Sequence, residues 1–227
     1  MSVFAIIPIG GVGKRINEKI PKQFIEINGR SIAMHTIEKF EKNPSIDHIV
    51  IACVDDYLKY MKDECKKNKI SKLYKIVPGG ETQMLSIYNC IKAIKKEIKA
   101  EDKIIIHVGN RPLLSHNLIT TCIEKYDEVG MLTTYLPSVE VLINQKNKKI
   151  VPRSEIVRIQ TPQVFAYKDL LPVMDIISKK NDYCTLCDLM IDQGYNMSFV
   201  KGEFKNFKIT YHEDLEIYKL ILNKTKS

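Results

Sequence analysis

Val3-Phe-Ala-Ile-Ile-Pro-Ile9-Gly10-Gly11-Val-Gly13-Lys14-Arg15 is the stretch on which the reading of this chain turns. Apolar residues run without a polar break from Val3 to Ile9 and lead straight into Gly10, Gly11 and Gly13. A continuous apolar run of that kind, closed by a glycine turn, predicts a strand buried on both faces. Glycines at a strand exit let backbone N–H groups come close to a phosphate or a flat base, and Lys14 and Arg15 can offset phosphate charge. By its chemistry the turn is an anion cradle. It is not a Walker A loop, because Pro8 stands five residues before Gly13 and Arg15 follows Lys14; nor is it G-x-G-x-x-G, because Ile16 occupies the third glycine position. A purely structural turn would use the same glycines, so the remainder of the chain has to decide.

Outward from this turn, β-prone runs alternate with amphipathic stretches. Ser31 to Lys42 reads as a helix, Ile46 to Val54 as a second buried strand, and Asp55 to Lys69 as a helix with acidic residues at its start. Tyr74 to Val77 is a short strand, Thr82 to Ile98 a helix and Lys103 to His107 a strong strand, followed by a helix over Leu113 to Tyr126 and a strand over Met131 to Leu136. Such a βα rhythm predicts an α/β fold, a mostly parallel sheet with helices on both faces. Val139 to Val151 breaks the rhythm: two β-prone runs flank the polar turn Asn144 to Lys148, a protruding β-hairpin arm within residues 137–156. A lone two-stranded arm is marginal in water and is most simply explained by packing on a second copy, although it could fold back on its own sheet. Beyond the arm, Tyr167 to Lys179 and Thr185 to Asp192 read as helices, Ser198 to Val200 and Phe207 to Thr210 as strands, and Asp214 to Asn223 as a closing helix. No repeat or linker divides the chain, so residues 1–227 are expected to form a single domain.

Composition narrows the function classes. The 227 residues are 44% hydrophobic and 27% charged, which excludes a disordered or fibrous chain. No apolar run approaches the roughly 18 residues of a membrane span, and the first residues lack the basic region and cleavage site of a secretory signal. Six scattered cysteines lack the dense spacing of a disulfide framework and point to a reducing cytoplasm; Cys184-Thr-Leu-Cys187 has neither a second pair nor a nearby histidine to complete a zinc set. The formal charge is +8, but its lysines are spread along helical faces, so neither nucleic acid nor membrane is an expected partner. A share of that charge can attract a polyanionic small molecule.

The decisive combination is the glycine turn followed by Pro21-Lys22-Gln23-Phe24. Gly79-Gly80-Glu81 with Ser86 comes next, then His107 to Pro112, Arg153, Gln160-Thr-Pro-Gln-Val-Phe165, and Asn206-Phe-Lys208-Ile-Thr210 with Glu213-Asp-Leu215. In this order the motifs resemble the cytidylyltransferases that activate methylerythritol phosphate or ribitol phosphate, over nearly the whole chain. The tail Lys201 to Thr210 is closer to the ribitol phosphate type, which serves surface polymer synthesis.

The resemblance implies a Rossmann-like sheet, CTP and a polyol phosphate as substrates, magnesium as cofactor and a homodimer joined through the arm. It implies that Arg15, Lys22 and Lys208 are catalytic cations on the triphosphate. Gly10, Gly11 and Gly13 would make close backbone contacts, and Gly80, Glu81 and Ser86 would read the cytosine. Arg153, Thr161 and Arg111 would hold the incoming phosphate, with Arg153 supplied across the dimer. The pattern departs from the family at several points. Val108 stands where a magnesium-binding aspartate is expected, Gln83 replaces an arginine, and Glu140-Val141 replaces an aspartate-threonine pair. Asn181-Asp-Tyr-Cys184 has also lost the family's Thr-Asp string. A valine cannot bind a hard cation. Two readings follow: an active enzyme with an altered acceptor, or a degenerate nucleotide-binding relative without turnover.

Overall fold

The structure is a computed structural model that describes residues 1–11, 20–126, 130–179 and 183–224. Strand β1 (Val3–Ile9) is buried at all seven residues and pairs parallel with a neighbour on each side. Along the chain follow a short hairpin of β2 (Glu26–Ile27) and β3 (Arg30–Ser31), α1 (Ile32–Glu41), β4 (His48–Cys53), α2 (Leu58–Lys67), β5 (Leu73–Pro78), α3 (Gln83–Ile94) and β6 (Lys103–Ile106). Then come α4 (His116–Glu124), β7 (Met131–Pro137), β8 (Leu142–Ile143), β9 (Ile150–Val151), β10 (Val157–Ala166), α5 (Tyr167–Leu170), α6 (Met174–Ser178), α7 (Leu186–Asp192), β11 (Met197–Lys201) and α8 (His212–Lys224). The central sheet has the order β11-β7-β10-β6-β1-β4-β5.

Side-chain alternation along β1 shows why the sheet carries helices on both faces. Ala5, Ile7 and Ile9 join one core with Met34 and Ile37 of α1, Met61 of α2 and Ile119 of α4. Phe4 and Ile6 join the other core with Ile87 and Ile91 of α3 and Leu189 of α7. Helices α1, α3 and α4 begin where a side-chain oxygen replaces missing backbone partners: Ser31 accepts from the Met34 amide, Thr82 from Leu85 and Ser115 from Leu118. Among the described residues no helix is long and apolar enough to cross a membrane.

Two sequence expectations are corrected, and one strand is added. Strand β10, which the periodicity does not announce, is the sheet's one inverted element, antiparallel to both β6 and β7. Pro162 hides it, because proline cannot donate to a ladder and argues against an interior strand. Here the register shifts between Gln160 and Gln163, so the ladder does not call on Pro162. Phe207 to Thr210 is not a strand: Ile209 is fully buried with Ile27, Ile32, Leu215 and Tyr218, and its alternation comes from that packing. Tyr167 to Lys179 breaks into α5 and α6 at Leu171 to Val173, where Pro172 cannot continue the first helix. Strands β8 and β9 pair antiparallel, with Leu142 opposite Val151 and Ile143 opposite Ile150.

Candidate functional site

The chain runs from β1 to β4 and β5 on one side of the sheet and returns to β6 on the other. Beyond the carboxyl ends of strands, at such a reversal of order, an open α/β sheet leaves a crevice. A cavity of about 430 Å³ lies there, within the range of small-molecule sites. Its wall includes Gly10, Gly11, Lys22, Gly80, Glu81, Ser86 and Lys208. Seven residues from four separate sequence motifs therefore meet at one place. Arg15 and Gly13 lie outside the described residues.

The first wall is stitched tightly. Gln23 donates through Nε2 to the carbonyls of Ile9 and Gly11, which ties the Lys22–Phe24 turn to the glycine loop. Phe24 stacks on Tyr57 with ring centroids 4.1 Å apart, fixing the same turn from behind. The glycines are needed because two strand exits touch. A Cβ on Gly10 would lie 2.9 Å from Ser86 Oγ and 3.3 Å from the Gly79 Cα, closer than a side chain tolerates. Ser86 Oγ accepts from the Gly80 amide and donates to the Thr82 carbonyl, each at 3.0 Å. Its hydroxyl thus shapes the loop that Gly80 and Glu81 occupy.

The opposite wall is Lys208, on a segment without helix or strand. Behind it lies a buried polar network. The fully buried His107 contacts Thr161 Oγ1 through Nδ1 at 3.0 Å and the Arg111 carbonyl through Nε2 at 3.1 Å. Burial holds its pKa down at about 3, so it is neutral at working pH. Arg111 donates from Nη1 to the Asn206 carbonyl, and desolvation lowers its pKa to about 10. Asn206 donates to the Thr161 carbonyl at 2.7 Å.

Arg111, Thr161 and Arg153 are not among the residues that line the cavity. The first two belong to the network behind it. Arg153 sits at the base of the arm, its guanidinium 3.5 Å from the Val139 carbonyl. Sequence reasoning missed Asn110, which lines the cavity and for which no family motif reserves a place. It also left Gln23 without a role, although the Pro-Lys-Gln-Phe string was the signal for it.

The donor set was tested against the implied magnesium ion. Val108 lines the cavity with apolar atoms, and Glu81 is the only carboxylate of its wall among the described residues. No group of three or more His, Cys, Asp or Glu that could hold a metal occurs among the described residues. These residues do not fit a magnesium ion held by the protein.

Residues 3–224 match the family described as 2-C-methyl-D-erythritol 4-phosphate cytidylyltransferase. The chain belongs to that family. It is a cytidylyltransferase, and so a nucleotidyltransferase enzyme. A ribitol-5-phosphate cytidylyltransferase from Lacticaseibacillus paracasei is 31% identical, with 98% of each chain covered. A 2-C-methyl-D-erythritol 4-phosphate cytidylyltransferase from Thermosipho melanesiensis is 35% identical, with 93% of each covered. In three dimensions the chain is similar to a 4-diphosphocytidyl-2C-methyl-D-erythritol synthase from Anaerococcus prevotii, with a TM-score of 0.81. That match has 23% identity and covers 98% of this chain and 96% of the other, so it speaks for the fold alone.

Proposed function

We propose that the chain transfers CMP from CTP to a polyol phosphate, giving a CDP-polyol and pyrophosphate. The observation that carries this is the cavity wall itself, with Lys22 and Lys208 facing one space against, among the described residues, a single carboxylate, Glu81. An acceptor phosphate oxygen attacks the α-phosphorus of CTP; the new P–O bond forms as the bond to the β-phosphate oxygen breaks. The protein has no covalent work to do, so rate comes from alignment and from cations placed where charge builds up. Lys22 is read as the cation at the reacting phosphate, with Lys208 opposite and Arg15 as a third. Gly10, Gly11 and Gly13 give the triphosphate close backbone donors, and Gly80, Glu81 and Ser86 form the base side. No step is assigned to a protein-held metal.

The preferred acceptor is ribitol 5-phosphate, for a surface polymer. The support is the Lys201 to Thr210 tail and the Lacticaseibacillus relative. Methylerythritol phosphate is the second reading, favoured by the Thermosipho relative. Pyrophosphate release with CTP and ribitol phosphate, methylerythritol phosphate or glycerol phosphate separates them. Release with ribitol phosphate alone is the expected result; release with methylerythritol phosphate alone reassigns the acceptor, and silence with all three favours the degenerate reading.

We also propose a cytoplasmic homodimer joined through the arm. The six thiols are free. Val141, Ile143 and Ile150 of the arm are exposed, Ile150 at 67%, and exposed apolar side chains gathered on one hairpin favour a partner. A second copy would also bring Arg153 to the neighbouring acceptor site. Light scattering should give twice the 26.2 kDa chain mass, and Ile150→Asp should return it to one; a wild-type monomer at micromolar concentration would reject the dimer.

A further inference from the structure

We propose that Asn110 is a positioning residue that sets where the Lys208 ammonium stands over the cavity; this rests on the reading of Lys208 as a phosphate-facing cation. Lys208 has no regular structure to fix it, since Gly202 to Tyr211 contains neither helix nor strand. Such a segment is only as well placed as its anchors. It has two. On one side of Lys208, Asn206 is held by the Arg111 guanidinium and by Gln160 Nε2 at 3.2 Å, both donating to its carbonyl, and its own amide reaches Thr161. On the other side, the Ile209 amide donates to the Asn110 carbonyl at 2.9 Å, and Asn110 Nδ2 donates to the Ile209 carbonyl at 2.9 Å.

The two anchors differ in what a substitution can remove. The bond to the Asn110 main chain survives any side-chain change. The bond from Nδ2 does not, and it is the one that lies at the cavity wall, next to Lys208 in sequence. Asn110 is itself held by its loop, because the neighbouring Gly109 donates to the Pro8 carbonyl and accepts from Thr36 Oγ1 at 2.8 Å. The carboxyl end of β1 therefore reaches Lys208 through one loop and one amide. A cation that must meet a reacting phosphate loses much of its effect when displaced by about 1 Å, so a remote hydrogen bond of this kind is felt in the rate.

The test is a double-mutant cycle on the full chain, with Asn110→Leu, Lys208→Met and the pair. Leucine matches the shape of asparagine and lacks the donor. Turnover is read as pyrophosphate release with CTP and the acceptor that supports it, and CTP affinity is read by calorimetry, which needs no acceptor. Expected are a fall of about tenfold in kcat for Asn110→Leu with a smaller change in KM, and a CTP affinity lowered about threefold. In the Lys208→Met background, Asn110→Leu should change either quantity by less than about twofold. Equal effects in both backgrounds would show that Asn110 acts elsewhere and would overturn the proposal, as would an Asn110→Leu enzyme indistinguishable from the parent. If Lys208→Met alone left both quantities unchanged, the reading of Lys208 would fall, and the positioning role with it. Should Asn110→Leu fail to fold, Asn110→Ser, which keeps a shorter donor, supplies the same cycle with an expected loss of about threefold in kcat.

Discussion

The two walls of the cavity are built by different means. The wall of Gly10, Gly11, Lys22 and Gly80 is built around the ends of the parallel strands β1 and β5, with backbone close to backbone where Gly10 meets Gly79. The wall of Lys208 has no ladder beneath it and depends on side-chain amides, a guanidinium and a neutral imidazole. The first wall fails when something is added at Gly10 or Gly80, because there is no room there. The second fails when something is removed, because its segment has no helix or strand to hold it when a bond is lost. Both walls place a lysine on the same cavity, so the contrast can be tested on one reaction.

The sharpest way to break it is at the cations. Lys22→Met should lower kcat by about a hundredfold or more while leaving thermal stability close to that of the parent, since charge at a reacting phosphate contributes several kcal/mol. A loss below tenfold in a turnover assay would remove Lys22 from its proposed role. Gly10→Ala comes next. Its methyl meets Ser86 Oγ, and overpacking at a rigid contact costs about 1–3 kcal/mol, so CTP affinity by calorimetry should fall about tenfold. Ser86→Ala added to Gly10→Ala should recover part of that loss, because the nearest clashing atom has gone.

The Lys208 wall should be the acid-sensitive one. His107 is held neutral in the fold, near a pKa of 3, against 6.5 in the unfolded chain. The unfolded state binds the extra proton between those values, so this contribution to stability is complete above pH 6.5 and is lost as pH falls toward 3. The slope tends to about 1.4 kcal/mol per pH unit. Unfolding by denaturant between pH 7.5 and 4.5 should show it, and His107→Gln should flatten the profile by about one proton.

The smallest effect concerns Val108. A carboxylate placed there by Val108→Asp would face the same space as the triphosphate. In buffer free of divalent cations it should weaken CTP binding about threefold to tenfold through like-charge repulsion. Tighter binding under those conditions would mean that the phosphates lie elsewhere in the cavity.

Much of the first wall was legible in the sequence, because its residues are contiguous with strands whose apolar runs announce themselves. Gly10 and Gly11 follow β1 directly, and Gly80 and Glu81 follow β5 within a few residues. The second wall was legible only as motif strings. Thr161 and Arg111, expected on the incoming phosphate, lie behind the cavity wall, because a bulge in β10 turns Thr161 onto His107. Phe207 to Thr210 shows strand periodicity without a strand, because alternate residues can be buried by packing alone. The Asn110 amide could not be found in advance, since its partner Ile209 lies 99 residues away.

The sequence by itself determined the βα order, the burial of β1, the helix starts at Ser31 and Thr82, the exposed hairpin and the family to which the chain belongs. These follow from periodicity, capping and local motif strings, all of which act over a few residues. Only the tertiary structure decided that β10 runs against its neighbours, that Ser86 and Gln23 shape the loops of the cavity, and that Lys208 is anchored through Asn110. Those outcomes depend on which distant polar groups meet once the two cores have closed, and a buried donor or acceptor takes whatever partner the packed chain brings within about 3 Å.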